Sequence, residues 1–351
     1  MVEDASSTDT LPADSVRLRI ESFALTSNNI TYGAFGEAMH YWEFFPCDVE
    51  GYGRIPVWGF ADVEASNVPG IEVGERFYGY YPMSTHVTLQ PVKMNIGGFV
   101  DGAAHRSELH ALYNRYIRCA SDPGYSKENE AQIALLKPLF STSFLIDDFL
   151  ADNDFFGAQA VILSSASSKT AYGAAFCLHQ RRLAGGSVKV IGLTSPANEK
   201  FTRGLGCYDE VIHYDDLKTI PPDVPTVYVD MSGSAAVRSD IHHHLGDSLT
   251  HSCSVGGTHW SELGGGKGLP GPRPSLFFAP DRVAKRMTDW GGGELQKRIA
   301  LAWQAFMKPV TDAESPWLTV VRGKGPSDVE QAYRELIDGR ANPQQGHVLS
   351  L

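Results

Sequence analysis

Alternation is the first pattern along the chain. In SVRLRIESFAL, Ser15 to Leu25, polar and apolar residues take turns, the period of a half-buried strand. GRIPVWGFADVEASN and IEVGERFYGYYPMSTHVTLQPVKM follow as short apolar or alternating runs broken by Gly and Pro. That texture predicts a small β-barrel or antiparallel sheet. Between the first strand and these runs lies TSNNITYGAFGEAMHYWEFFP, rich in Asn, Gly and aromatics, which suits a loop or short helix lining a pocket. Tyr41, Trp42, Phe44 and Phe45 serve equally as core filler; Asn28, Asn29, Thr31 and Tyr32 form a close polar group that is harder to dismiss. From His105 to Cys119 apolar residues fall at helical spacing and predict an amphipathic helix. The next stretch, to Asp154, reads as a loop and a helix, with Pro138 breaking or starting one of its turns.

From Phe155 short apolar strands alternate with helical runs of about a dozen residues, the pattern of a parallel sheet with helices on its faces. AVIL, SVKVIGLT, YDEVIHYDD and VPTVYVDMSG are the strands; TAYGAAFCLHQRRL, NEKFTRGLG and AAVRSDIHHHLGDS are the helices. HSCSVGGTHW and PSLFFAP look like two more buried strands or strand ends, separated by a Gly/Pro-rich loop that is mobile or covers a ligand. A helix is expected around Leu295 to Met307, then a last helix and a terminal strand, GHVLSL.

Length and composition narrow the classes. A chain of 351 residues supports two domains. A net charge of −11 argues against a nucleic-acid or anionic-membrane partner, since both need a basic face. No apolar run approaches the roughly 18 residues that span a bilayer. The acidic N-terminus reads as a frayed tail rather than a leader. Cys47, Cys119, Cys177, Cys207 and Cys253 are widely spaced, so a reducing cytoplasm fits better than a disulfide framework, and clustered zinc ligands are absent.

The chain is organised around AVILSSASSKTAYGAAFCLHQRR, where a buried strand passes through small residues into a helix. A helix N-terminus reached in this way is a ready pyrophosphate site. Ser165, Ser168 and Ala171 stand where a dinucleotide fold would place glycines. A P-loop does not fit, because its glycine positions are Leu163 and Ser168, and a nucleophile elbow fails for want of glycines flanking Ser165 or Ser167. Two readings remain: a strand-to-helix connection capped by hydroxyls, and a phosphate cradle in which serines replace glycines. No acid lies between Val188 and Asn198 to hold a ribose 2′-hydroxyl, while Lys200 and Arg203 follow, so a 2′-phosphate is favoured.

The chain resembles the medium-chain dehydrogenase/reductase superfamily, on its zinc-free quinone-reductase and enoyl-reductase side. PGIEVGERFYGY resembles that family's barrel signature, and STSFLIDDFL the helix before its cofactor domain. VILSSASSKTAYGAAFCL stands at the nucleotide loop, and LGCYDEVIHYDD, VYVDMSG and GRANPQQGHVLSL match later strand ends and the closing strand. Order and spacing carry the resemblance further than any one motif. SSASSKTA, GLTS, LGCYDEV and VGGTHW are similar to one poorly characterised subgroup.

The resemblance implies an α/β fold: a discontinuous GroES-like β-barrel domain, residues 1–150 and 310–351, and a Rossmann doubly wound parallel-sheet domain, residues 151–309. It implies NADP(H), with Ser195, Lys200 and Tyr214 around the 2′-phosphate and Asn198 and Lys169 in reserve. Ser165, Ser167, Ser168 and Thr170 complete the cradle. Thr142 matches a threonine facing the cofactor, Ser254 and Gly256 the strand end beside the nicotinamide, Gly233 the strand end before it, and Phe278 a wall of the carboxamide. Tyr32 is the candidate proton donor, with Asn29 and Thr31 orienting substrate or nicotinamide; His259 and Trp260 are alternatives. Zinc is not expected: Asn29 or its neighbours stand where the relatives' cysteine would lie, and His242, His243 and His244 read as helix surface. The expected activity is NADPH-dependent reduction of an activated C=C bond or a quinone, in a cytoplasmic homodimer acting on a small molecule. The rival is an NADPH-binding sensor or regulatory protein without turnover.

Overall fold

The computed structural model describes residues 10–255 and 268–351. In chain order its strands and longer helices are β1 (Val16–Leu25), α1 (Ser27–Ala34), β2 (Pro56–Ser66), β3 (Arg76–Pro82), β4 (His86–Leu89), β5 (Pro91–Asn95), β6 (Gly98–Asp101), β7 (Arg115–Arg118) and α2 (Glu130–Asp152). Then come β8 (Ala160–Leu163), α3 (Lys169–Leu183), β9 (Lys189–Thr194), α4 (Glu199–Gly204), β10 (Glu210–His213), β11 (Thr226–Asp230), α5 (Ala235–Leu245) and β12 (Leu249–Ser254). The last are β13 (Ser275–Leu276), α6 (Ala279–Trp290), α7 (Gly292–Val310), β14 (Thr319–Lys324), α8 (Pro326–Ile337) and β15 (Gln345–Ser350).

Two compact units divide the chain: residues up to Leu135 with Leu318–Leu351, and Leu136–Trp317. The first break lies inside α2 and the second after Trp317, not at 150 and 310. The reason is the C-terminal half of α2, whose carboxylates are held by cations of the second unit. Asp147 takes both arms of Arg181 at 2.9 and 2.7 Å, and Asp148 accepts from Arg282 and Arg286 at 2.7 Å each.

The first unit carries a largely antiparallel sheet in the order β14-β15-β1-β2-β3-β7-β6-β5, with β4 also on β1. The long β1 makes this possible. One edge pairs with β2 throughout, while the other pairs with β4 at Val16–Arg19 and with β15 at Phe23–Leu25. Alternation in SVRLRIESFAL therefore sends Val16, Leu18 and Ile20 into a core with Phe77, Phe99, Val329 and Leu349. The helix expected from His105 to Cys119 is instead two single turns, Ala104–Arg106 and Ala111–Asn114, followed by β7. Arg106 decides this. Its guanidinium, only 1% exposed, binds Asp101 at 2.7 Å and the Tyr116 hydroxyl at 3.0 Å, and the Asn114 amide closes on its carbonyl at 3.0 Å.

The second unit carries a parallel sheet in the order β10-β9-β8-β11-β12-β13. Numbered by sequence, this is the 3-2-1-4-5-6 order of a dinucleotide-binding fold. All four residues of β8 and all five of β11 are buried, as strands covered on both faces must be. PSLFFAP contributes only the two exposed residues of β13, and its last two residues open α6. Helix α2 runs unbroken through Pro138, because Leu135, Leu136, Leu139 and Phe140 are all buried around it. Their packing outweighs the roughly 3 kcal/mol an interior proline costs. Among the described residues no helix is long and apolar enough to cross a membrane.

Candidate functional site

In the second unit, β8 ends at Leu163 and the chain turns through Ser164–Ser168 into α3. Ser168 caps the helix, its hydroxyl accepting the Ala171 N–H at 3.3 Å, as the hydroxyl-capped reading expects. Ser165 adopts φ +49°, the left-handed region that favours glycine. The backbone geometry of a glycine turn is thus kept while the glycine is gone. Two tyrosines hold the turn: Tyr214 accepts the Ser165 N–H at 2.8 Å, and Tyr208 donates to the Ala166 carbonyl at 2.8 Å. Ser167 is buried and accepts from the Asn198 amide at 3.1 Å. A glycine is required one strand away. A Cβ on Gly192 would lie 2.9 Å from that of Ala166 and 2.8 Å from the Tyr208 ring, so its absence lets β9 approach the loop.

The strand order reverses between β8 and β11, and ligands of such sheets bind at the C-terminal ends of strands there. A hydrogen-bonded clamp joins those two ends. Ser164 Oγ donates to Asp230 Oδ1 at 3.0 Å and accepts the N–H groups of Met231 and Ser232 at 2.9 and 3.1 Å. The same Asp230 oxygen accepts the N–H groups of Ser232 and Gly233, both at 3.0 Å, and the Ser232 hydroxyl at 2.9 Å. Gly233, at φ +69°, completes this turn. Behind it the buried Arg238 of α5 lies 3.6 Å from Asp230 Oδ2 and 3.5 Å from the Ser254 hydroxyl. Sequence reasoning singled out Gly233 and Ser254 but missed Ser164, Asp230 and Arg238. The aspartate of VYVDMSG was the signal.

The end of β9 carries Ser195, half-buried, Asn198, half-buried, and Lys200, exposed. The one carboxylate among them, Glu199, is engaged by Arg203 at 2.7 Å and His213 at 3.0 Å. Tyr214, expected around a 2′-phosphate, has its hydroxyl oxygen accepting the Ser165 N–H. Lys169, in the first turn of α3, is half-buried, and burial pushes its ammonium down to about 8. The Thr170 carbonyl accepts from Ser143 at 2.7 Å, and Thr142 bonds back to the Pro138 carbonyl at 3.3 Å. Phe278 is 42% exposed at the start of α6. Gly256, His259, Trp260, residues 261–267 of the Gly/Pro-rich loop and residues 1–9 of the acidic tail lie outside the described residues.

In the first unit, α1 carries the other candidates. Asn29 turns inward: its amide nitrogen donates to the Pro56 carbonyl at 2.8 Å, and its oxygen accepts the Thr26 N–H at 2.7 Å and the Thr26 hydroxyl at 3.3 Å. The nitrogen thus ties α1 to the start of β2, and the oxygen caps the first turn of α1 itself. Thr31 is half-buried. Tyr32 is buried among Tyr41, Phe44, Phe45 and Tyr80, with its ring 4.5 Å from that of Tyr41 and edge-on to Tyr80 at 5.7 Å. Burial, reinforced by Tyr41, pushes the Tyr32 phenol far above its ordinary range; the facing side chains of Trp58, Tyr80 and Asn28 offset this only in part. Tyr32 therefore stays a neutral donor at any physiological pH. Of the aromatic residues read as possible core filler, Tyr41, Phe44 and Phe45 are buried around this phenol, whereas Trp42 is half-buried and outside the cluster.

Among the described residues no group of three or more His, Cys, Asp or Glu side chains is arranged to hold a metal. Of the histidine run expected at the helix surface, only His243 is exposed, while His242 and His244 are built into the packing of α5. His242, fully buried, bridges the Pro270 carbonyl at 2.9 Å and the Ser252 hydroxyl at 3.0 Å, and His244 meets the Ile220 carbonyl at 2.7 Å.

The family described as "Protein of unknown function (DUF2855)" matches residues 23–342. The chain belongs to this family. No curated protein matches this DUF2855 chain. Its fold is that of solved reductases. It is similar to CurA from Vibrio vulnificus, solved with NADPH, at 14% identity and a TM-score of 0.60 over 99% of this chain and 92% of that one. It is similar to a quinone oxidoreductase from Coxiella burnetii at 14% identity and a TM-score of 0.56, covering 99% and 93%. The yhdH oxidoreductase from Salmonella enterica, solved with NADP, gives 14% identity and a TM-score of 0.51 over 99% and 94%. These likenesses establish a GroES-like unit followed by a Rossmann unit for the DUF2855 chain.

Proposed function

We propose that this DUF2855 chain is an NADPH-dependent, metal-free reductase of an activated C=C bond or a quinone. The observation that carries this reading is the clamped switch point: Ser164 and Asp230 tie the ends of β8 and β11, beside a β9 end without a free carboxylate among its described residues. The donor set suits a nicotinamide dinucleotide phosphate. Ser195, Asn198 and Lys200 would hold the 2′-phosphate by hydroxyl, amide and ammonium. Lys169 and the loop from Ser165 to Thr170 would hold the pyrophosphate at the start of α3. Gly233, Ser254, Thr142 and Phe278 would flank the nicotinamide. The similar folds solved with NADPH and NADP agree with this cofactor.

Bound there, the nucleotide supplies a hydride. The chain's own contribution is a neutral phenol, Tyr32, offering its O–H to the substrate oxygen, with Thr31 orienting the substrate and Asn29 fixing the helix that carries both. Following the nicotinamide absorbance with NADPH and a panel of enones, quinones and aldehydes tests the reading. Consumption with enones or quinones is expected, and Tyr32→Phe should slow it while leaving NADPH affinity nearly intact. Activity should survive a chelator, and stoichiometric zinc would overturn the metal-free part. One observation favours the rival, a non-catalytic NADPH-binding redox sensor or regulatory protein: the Tyr214 hydroxyl already occupies an amide of the cradle. Tight NADPH binding without consumption across the panel would support that rival.

A further inference from the structure

Glu199 is the only acid between Val188 and Tyr208. It stands between Asn198 and Lys200, two of the residues proposed for the 2′-phosphate. Neighbouring Cα atoms lie about 3.8 Å apart, inside a screening length of about 8 Å at physiological salt. A free carboxylate in this position would repel a phosphate group and compete for the Lys200 ammonium. It could also accept a ribose hydroxyl, the task an acid performs in an NAD site. Left unpaired, Glu199 would oppose the cofactor that its neighbours suit.

It is not left unpaired. The turn that carries it is knit first: the Asn198 N–H donates to the Ser195 carbonyl at 3.0 Å, and the Thr202 hydroxyl donates to the Asn198 carbonyl at 2.8 Å. Glu199 then opens α4, and each of its carboxylate oxygens has its own partner. Arg203, one turn on, donates from Nε to Oε1 at 2.7 Å, while its Nη2 donates to the Val211 carbonyl of β10 at 2.8 Å. His213, the last residue of β10, places Nε2 3.0 Å from Oε2, and its Nδ1 lies 3.6 Å from the Asp216 carboxylate. Arg203 foremost, then His213, holds the Glu199 carboxyl below its ordinary range, so it stays ionised. An ion pair as exposed as this one adds little to stability. What it fixes is the place of a negative charge.

We infer that Arg203 and His213 set the preference for NADPH over NADH by occupying both oxygens of Glu199. Both are positioning residues: they act on the nucleotide through the carboxylate they hold. Released from them, Glu199 discriminates against the 2′-phosphate and leaves the unphosphorylated ribose untouched or better bound. The inference rests on the nucleotide part of the reductase reading. To that reading it adds the reason a carboxylate beside Lys200 is tolerated.

Calorimetric titration of the full chain with NADPH and with NADH tests this. The double variant Arg203→Ala with His213→Ala should lose about five-fold of the preference, by weaker NADPH binding with NADH unchanged or tighter. Adding Glu199→Gln should restore the preference to within about two-fold of the unaltered protein, a rescue that a merely structural role would not give. Glu199→Gln alone should shift it by less than about two-fold, because that charge is already matched. Should the double variant fail to fold by circular dichroism, Arg203→Ala alone decides, with a loss of about three-fold that Glu199→Gln restores. An unchanged preference in the folded variants, equal loss of both nucleotides, or a loss that Glu199→Gln does not restore would overturn the inference and leave NADPH binding standing. Failure of the unaltered protein to bind NADPH is a different result: it sinks the nucleotide reading, and the inference with it.

Discussion

Ser165 holds φ +49° with its N–H on the Tyr214 hydroxyl, a conformation that costs a non-glycine residue about 1–2 kcal/mol. A β-branched side chain tolerates it worse still. Ser165→Val is therefore expected to be less stable than Ser165→Gly by about 1–2 kcal/mol in urea unfolding; equal midpoints would show that the turn is not strained. Lys169 sets a second expectation. Its ammonium is held down to about 8 by burial, so the cation is present below that value and lost as pH rises through it. NADPH binding should weaken between about pH 7 and 9, and Lys169→Met should abolish that dependence while weakening binding throughout; a flat profile in the unaltered protein would remove Lys169 from the phosphate site. At this scale the sequence was partly legible. Serines in a glycine loop could be seen, but not which of them caps α3, which takes the strained turn and which bonds Asn198. The turn and the Asn198 bond depend on Tyr214, Tyr208 and Asn198, each far from the loop in sequence. The anchoring of Asn29 was hidden for the same reason: its partner, Pro56, lies on β2, 27 residues away.

Elements were legible where hydrophobic period and burial agree. β1, β8 and β11 follow from alternation or from unbroken apolar runs, and α3 from its capped start. The segment from His105 to Cys119 was not, because helical spacing there competes with a buried ion pair between Arg106 and Asp101. A tertiary charge pair has no local signature. The clamp at the switch point is likewise non-local, joining Ser164 and Asp230 across two strands. Asp230 accepts four hydrogen bonds on one oxygen, and Arg238 stands behind it. Asp230→Ala would leave a buried guanidinium without its carboxylate, a loss of about 3–5 kcal/mol by analogy with other broken buried pairs. Thermal unfolding measures it; a change under about 1 kcal/mol would mean the clamp holds nothing together.

The whole molecule divides into a unit assembled from both ends of the chain and a unit formed by one continuous run, Leu136–Trp317. Domain order and sheet type were legible because each half has its own period. The boundaries were not, since α2 gives its first residues to one unit and its carboxylates to the other. A fragment of residues 136–317 contains the entire parallel sheet and the clamp, and is expected to fold and bind NADPH on its own. A fragment that is folded by circular dichroism yet fails to bind would place essential nucleotide contacts elsewhere. The central claim is that this molecule is built around NADPH, and a titration of the full chain with NADPH and with NADH tests it most directly. The account predicts that NADPH binds at least about ten-fold more tightly and that the double substitution Ser195→Ala and Lys200→Ala erases the difference by weakening NADPH alone. Equal affinity for the two nucleotides, or equal loss of both in the variant, would contradict it.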